Sequence, residues 1–237
     1  MELAGGFSEG LSPDAVHDLR VAARRVQTLC RLLPKTLRES EAYERFNDGL
    51  GSLLKATSPV RDLDTLTLTL QRIRPPLPAE LLTTLCRQRD NAMLRAKPAI
   101  EAFSSTFPPA VDRGIDAKKL SRRLRKRIAE RQRTVRKLLD AVLKDESHAE
   151  ELHALRKETK KLRYLMELAE ESPPELSALA AWQESLGGIR DIDVAIDYLR
   201  RSRLRFPRLD AVAELERSRH TKYSEFSEGS AYSPILY

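Results

Sequence analysis

A stretch in the second half of the chain, residues 153–163, combines histidine, arginine and lysine at helical spacing. His153, Arg156, Lys160 and Arg163 recur every three or four residues, so a helix places them on one stripe. Arginine and lysine bind phosphate oxygens, and a neutral imidazole can donate one further hydrogen bond. The stripe therefore predicts contact with an anion rather than with a metal ion, which the neighbouring cations would repel.

The same stretch carries a second stripe that begins one residue earlier and is nearly all apolar. On a helix the two stripes lie roughly 100° apart, a quarter-turn around the axis. We therefore expect one helix that buries an apolar face and presents cations beside it. The apolar positions are Leu152, Leu155, Thr159, Leu162, Met166 and Ala169.

An earlier segment, residues 16–33, repeats both stripes in the same register. Two independent patterns that match over five turns indicate an internal duplication. The apolar stripe is Val16, Leu19, Ala23, Val26, Cys30 and Leu33, and the polar stripe is His17, Arg20, Arg24, Gln27 and Arg31. His17 aligns with His153, Arg20 with Arg156, Arg24 with Lys160, and Arg25 with Lys161.

A second motif is also duplicated, as Arg61-Asp62-Leu63-Asp64 and Arg190-Asp191-Ile192-Asp193. Each copy follows a short segment that predicts a helix end, 57–59 and 187–188. We expect the acids to lie in the first helical turn, where they stabilise the helix dipole, and the arginine to pair with an acid of a neighbouring helix. An architectural role is favoured for both copies, with anion contact by Arg61 and Arg190 as the alternative.

Proline, glycine and capping residues divide the chain into helices joined by short connections. The repeated unit comprises four helices, from the motif helix to the helix after the RDLD or RDID segment, and short connections between them favour antiparallel bundles. We place the halves at about 1–106 and 112–226, followed by a poorly ordered tail at 227–237. The predicted helices cover about 13–33, 40–56, 61–74 and 78–103 in the first half, and 112–143, 147–170, 175–186, 190–203 and 208–226 in the second.

The composition agrees with an all-α protein that carries a modest positive charge. The chain has 237 residues, of which 41% are hydrophobic and only 5% aromatic, with nine glycines, which favours helices over a sheet. No apolar run is long enough to cross a membrane, and the first ten residues lack the apolar segment of a signal peptide, so a cytoplasmic location is expected. Cys30 and Cys86 both lie in apolar helical patterns and are predicted to be buried thiols.

In these motifs the sequence resembles the CHAD family, the conserved histidine α-helical domain. The resemblance covers nearly the whole chain and implies one domain over residues 1–237, built from two helical bundles related by a pseudo-twofold axis. Their basic residues would face a shared cavity or groove. The motifs that carry the resemblance are 17–25, 61–64, 153–164 and 190–194.

The family resemblance also implies a function, which is binding of inorganic polyphosphate. Family members occur on polyphosphate granules or beside triphosphate-tunnel and other polyphosphate-metabolising enzymes. They act as binding modules, so the resemblance implies no catalytic residue, no metal and no cofactor. Two departures concern the first half: Gln27 stands where the second copy has Arg163, and no long helix precedes the first motif.

A long basic run between Lys118 and Lys137 adds to the cationic surface, with Glu130 as its one acid. Like charges one turn apart destabilise a helix by about 0.2–0.5 kcal/mol per pair, so this run favours an anionic partner. A solvated helix face is the alternative. The predicted polyphosphate contacts are His17, Arg20, Arg24, Arg25 and Arg31, then Arg122, Arg125 and Lys126, and finally His153, Arg156, Lys157, Lys160, Lys161 and Arg163.

Two other functions stay open at the level of sequence. A nucleic-acid-binding helical protein would have the same positive charge, but the aromatic residues are not interleaved with the basic clusters, as stacking on bases would require. A metal-dependent phosphohydrolase would need carboxylates such as Asp62 and Asp191 to converge with the histidines. Both are less favoured than polyphosphate binding without catalysis.

Overall fold

The computed structural model describes residues 11–74, 77–109, 115–170, 173–202 and 208–230. The regular structure in these ranges is entirely helical, which confirms the all-α class. No helix within them is long and apolar enough to span a membrane. The helices are α1 (Pro13–Cys30), α2 (Lys35–Arg38), α3 (Glu41–Ala56), α4 (Ser58–Gln71), α5 (Ala79–Ser104), α6 (Ala117–Val142), α7 (Ala149–Leu168), α8 (Pro173–Arg201) and α9 (Arg208–Ser230).

The chain divides into two compact units. The first unit comprises residues 1–72 and 76–115, and the second comprises residues 73–75 and 116–237. The motif helices named above are α1 in the first unit and α7 in the second. The second unit also contains α6, the basic helix, which precedes its motif helix.

In the first unit, α1 packs against α3 and α4, and α5 packs against the same two helices. The Ser12 hydroxyl accepts a hydrogen bond from the Ala15 amide at 3.2 Å and caps α1, as its position before Pro13 predicts. The predicted apolar stripe of α1 faces the core, where Val16, Ala23 and Cys30 are buried. The stripe therefore fixes which face of α1 stays outside.

In the second unit, each helix packs against the next one along the chain. Arg131 of α6 contacts Glu158 of α7, while His148, which precedes α7, contacts Ala141 near the end of α6. Because later residues of α7 meet earlier residues of α6, the two helices run antiparallel. The predicted apolar stripe of α7 is buried from Leu152 through Met166.

The predicted helix end at Gly187-Gly188 is wrong, because α8 continues through both glycines without a break. Each glycine in a helix costs about 1 kcal/mol relative to alanine. That cost is outweighed by burial on both sides, where Leu186 and Ile189 are almost completely enclosed. Consequently, Asp191 and Asp193 lie deep within a helix rather than in a first turn, and Asp62 also lies beyond the first turn of α4.

Other predicted boundaries shift by a few residues. α6 begins at Ala117, where the Asp116 carboxylate accepts hydrogen bonds from two backbone amides, and residue 112 lies outside the described residues. The predicted tail begins too early, since α9 extends to Ser230 and the Ser230 hydroxyl donates to the Phe226 carbonyl. Residues 231–237 are not among the residues that the structure describes. Cys30 is buried as predicted, whereas Cys86 is exposed, because it lies on the outer face of α5.

Candidate functional site

The outer face of α7 presents a compact cationic cluster, which we define as His153, Arg156, Lys157 and Lys160. Lys157 is exposed and the other three are half-buried. Directly behind them, Leu155 and Thr159 are fully buried and hold the helix against the core. The 3.6-residue repeat therefore fixes this cluster on the side away from the core.

His153 lies within a strongly positive environment. Burial and then the charges of Lys157, Arg190 and Arg156 lower the pKa of His153 below its ordinary value. Its Nδ1 atom is enclosed and has no hydrogen-bond partner among the residues described. Nε2 is therefore the nitrogen that remains for contact with an anion. The effect of its charge on His153 indicates that Arg190 of α8 lies near this cluster.

Arg156 extends from α7 across α8, at the position of Gly187. The Arg156 Nε atom lies 3.9 Å from the point that a Cβ atom on Gly187 would occupy. On the next residue, Gly188, the corresponding point lies 3.2 Å from Cδ and 3.6 Å from Nζ of Lys222, which belongs to α9. The cationic surface of the second unit therefore reaches α9 through a lysine that no motif predicted.

Two predicted contact residues of α7 lie to either side of the cluster and pair with acids. Arg163 donates from Nε to Glu167 Oε1 at 2.8 Å and from Nη1 to Gln183 of α8 at 3.2 Å. Lys161 donates to Glu158 at 2.7 Å. The bond to Gln183 connects α7 to α8, whereas the bonds to Glu167 and Glu158 lie within α7. Contact of Arg163 and Lys161 with an anion would compete with these existing pairs.

Glu158 is the acid that organises the α6 side of α7. Burial alone would raise its pKa, but hydrogen bonds from Lys161 and Arg131 lower the pKa below the ordinary value. The carboxylate thus remains charged between two cations from different helices. This three-residue network joins α6 to α7.

In the first unit, Arg20 is equivalent to Arg156 but is buried. Its Nη1 atom donates to the Leu54 carbonyl at 2.6 Å and to the Thr57 hydroxyl at 2.8 Å, and Nη2 donates to Ser58 at 3.3 Å. Burial, followed by the charge of Arg24, lowers the pKa of Arg20. The guanidinium therefore holds the junction between α3 and α4 together.

The remaining predicted residues of the first motif, His17, Arg24, Arg25 and Arg31, are exposed along α1. Arg61 of α4 acts electrostatically on Arg20, and it does so against the opposing charge of Asp62. Arg61 thus stands beside its motif helix, as Arg190 does in the second unit. In each unit, considered separately, the two duplicated motifs meet.

The second aspartate of the RDLD and RDID motifs has an architectural role. We expected the motif arginine to pair with an acid of a neighbouring helix, but here the motif aspartate pairs with an arginine of a neighbouring helix. Asp64 accepts from Arg89 of α5 at 2.5 Å, and Asp193 accepts from Arg219 of α9 at 2.6 Å. Both arginines also bind the backbone carbonyl just before the motif helix: Leu11 for Arg89 and Glu146 for Arg219. An internal duplication predicts such a shared arrangement.

The basic face of α6 lies opposite the buried side of that helix. Lys118, Arg122 and Arg125 line a surface pocket, and Lys126 is exposed beside them. Among the residues described, Arg122, Arg125 and Lys126 make no ion pair, whereas Arg127 pairs with Glu130. The three predicted contact residues of α6 are therefore accessible to an anion.

No three His, Cys, Asp or Glu side chains converge as metal ligands in the part of the chain that the structure describes. The charged groups that do converge are arginines, lysines and histidines. Such a set can bind a phosphorylated anion through hydrogen bonds and charge, and it needs no bond-breaking step to do so.

Comparison with known proteins assigns the family. No curated protein matches the chain, and no solved structure matches it. The family model described as "CHAD domain" matches residues 5–200, a span that includes both copies of both motifs. The chain therefore belongs to the CHAD domain family.

Proposed function

We propose that this protein binds inorganic polyphosphate and does not cleave it. The observation that carries the proposal is that each unit brings the cations of its motif helix next to an arginine of the RDLD or RDID motif, Arg61 or Arg190. Polyphosphate is a flexible chain of phosphates without bases or rings. A ligand of that kind requires many cationic donors and no aromatic platform.

The binding energy in this proposal is distributed over many weak contacts. One exposed ion pair contributes only about 0–1 kcal/mol. A polymer that has formed one contact presents its next phosphates at high effective concentration, so several modest contacts combine into useful affinity. By analogy with other polyanions, each neutralised phosphate makes binding more sensitive to salt.

The family resemblance extends the proposal to the whole domain. The half-bundles at about 1–106 and 112–226 would be related by a pseudo-twofold axis, and both clusters would face one groove. The protein would act in the cytoplasm, on polyphosphate granules or with a triphosphate-tunnel or polyphosphate-metabolising enzyme. Crystal structures with and without bound phosphate would show whether the two units share one groove.

The test of binding is a titration of the full chain with long-chain polyphosphate at two salt concentrations. We expect binding that weakens steeply as salt increases, and a large loss of affinity in the double variant Arg156→Glu, Lys157→Glu. The matched control reverses two exposed charges on α3, Lys55→Glu and Arg45→Glu. Binding that is absent, insensitive to salt, or lost equally in the control would contradict the proposal.

The absence of cleavage requires its own measurement. After long incubation of polyphosphate with the protein and Mg²⁺, the length distribution of the polymer on a gel should be unchanged. Progressive shortening that requires Mg²⁺ would instead support a metal-dependent hydrolase.

Nucleic-acid binding is the second candidate, and the accessible cations of α6 favour it. Arg122, Arg125 and Lys126 form a surface that would suit any polyanion. Competition separates the two functions: long-chain polyphosphate should displace a labelled DNA or RNA at a much lower phosphate concentration than the reverse. Stronger retention of the nucleic acid would favour the second candidate.

A further inference from the structure

Lys222 of α9 is held in an unusual position for a lysine. Its side chain is half-buried, with Cδ 3.2 Å and Nζ 3.6 Å from the point where a Cβ atom on Gly188 would lie. Among the residues described, Lys222 has no ion-pair or hydrogen-bond partner. Its aliphatic part therefore packs along the backbone of α8, while its ammonium group has no acid to neutralise it.

Arg156 approaches the same part of α8 from α7. Arg156 of α7 lies beside Gly187, and Lys222 of α9 lies beside the next residue, Gly188. Among the residues described, Arg156 comes within 4 Å of the Gly187 point, and the three atoms nearest to the Gly188 point belong to Lys222, so cationic side chains lie closest to this turn of α8. Arg190 follows one turn later and acts on His153.

Neither glycine is required by the backbone conformation of α8. The helix is continuous and neither residue has a positive φ. An added Cβ on Gly187 would make an ordinary contact, whereas one on Gly188 would lie 3.2 Å from Cδ of Lys222, so that side chain would have to shift. The absence of Cβ atoms thus lets Arg156 and Lys222 approach the same turn of α8.

We propose that Lys222, together with Arg156, forms a further phosphate subsite beside Gly187 and Gly188 that carries a polyphosphate chain from α7 across α8 to α9. This inference rests on the proposed function and deepens it. It assigns a binding residue outside both duplicated motifs, and it predicts that long chains use a contact that single phosphates bound at His153 do not reach.

The experiment measures the affinity of the full chain for long-chain polyphosphate over a series of salt concentrations. Lys222→Gln should weaken binding by roughly three- to tenfold. The slope of log affinity against log salt should become shallower by about the amount that one phosphate contact contributes. Lys222→Arg, which keeps the charge, should restore both quantities. The affinity for orthophosphate should be unchanged in both variants.

The matched control is Lys144→Gln, which removes an exposed lysine of the same unit that has no ion pair among the described residues. Equal effects of Lys144→Gln and Lys222→Gln would mean that only net charge matters, and would overturn the subsite. Equal losses in Lys222→Gln and Lys222→Arg would identify a packing role and would overturn it as well. If the unmodified protein fails to bind polyphosphate, the proposed function and the subsite fail together, whereas normal binding in Lys222→Gln rejects the subsite alone.

Discussion

The two motif arginines, Arg20 and Arg156, occupy equivalent sequence positions but different environments. Arg20 is buried and donates three hydrogen bonds at the junction of α3 and α4. Arg156 is half-buried and lies over an uninterrupted helix at Gly187. The same motif position therefore holds a helix junction in one repeat and lies within a cationic cluster in the other.

The residues opposite each arginine explain the difference. In the first unit, Thr57 and Ser58 offer hydroxyl groups, and Pro59 lacks the amide hydrogen that would continue a helix. In the second unit, the equivalent residues are Leu186, Gly187 and Gly188, which offer neither hydroxyl groups nor a proline. The helix therefore continues, and Arg156 lies beside Gly187 rather than at a junction between two helices.

The largest effect should come from the arginine–aspartate pair that both units share. Arg89→Ala leaves the Asp64 carboxylate, whose side chain is only 2% exposed, without its cation. A buried charge without a partner costs about 3 kcal/mol or more, which urea unfolding would measure. Arg219→Ala should cost less, about 1–2 kcal/mol, because Asp193 is 21% exposed and water can replace the lost partner.

The exposed neighbours Arg87 and Arg217 provide the controls for this pair. Arg87→Ala and Arg217→Ala remove the same side chain from the same helices, α5 and α9, and should change the free energy of unfolding by less than about 0.5 kcal/mol. Equal losses for Arg89→Ala and Arg219→Ala would show that the difference in burial between the two aspartates has no energetic consequence.

The second prediction separates the two motif arginines themselves. Arg20→Ala leaves the Leu54 carbonyl and the Thr57 hydroxyl without a donor and should lower the free energy of unfolding by about 2 kcal/mol. Arg156→Ala should lower it by less than about 1 kcal/mol, because Arg156 is only half-buried and α8 is continuous beside it. Urea unfolding measures both.

Polyphosphate titrations of the same two variants complete that test. Arg156→Ala should weaken binding more than its small effect on stability suggests. A larger loss of stability in Arg156→Ala than in Arg20→Ala would reverse the roles assigned to the two repeats.

The helical class and the inner faces of α1 and α7 could be predicted because burial follows the 3.6-residue repeat directly. The continuity of α8 could not, since two adjacent glycines are a local signal for a helix end. The core contacts of Leu186 and Ile189 on either side, which come from tertiary packing, override that signal.

The candidate site was predictable only where a motif supplied it. His153 and Arg156 follow from the repeat, whereas Lys222 lies in no motif and reaches Gly188 because α9 packs on α8. The burial of Arg20 depends on acceptors more than 30 residues away in the chain. Sequence periodicity predicts which face of a helix is buried, but it does not show which residues pack against that face.

The smallest expected effect concerns His153 and the dependence of stability on pH. Burial and the charges of Lys157, Arg190 and Arg156 lower its pKa in the folded protein below 6.5, the ordinary value that the unfolded chain keeps. As pH falls below 6.5, the unfolded chain takes up a proton before the folded chain does. The contribution of His153 to stability is thus fully present above 6.5 and is lost as pH falls toward the folded pKa.

His153→Gln should therefore reduce the loss of stability between pH 7 and pH 5.5, as measured by urea unfolding at each pH. His17→Gln makes the same substitution at the equivalent, exposed position of the first unit and controls for the change of side chain itself. Equal flattening of the pH profile in both variants would contradict the distinction between the units.

Bound polyphosphate should oppose the surrounding cations and raise the pKa of His153, so polyphosphate binding should tighten as pH falls. His153→Gln should remove that trend in affinity as well.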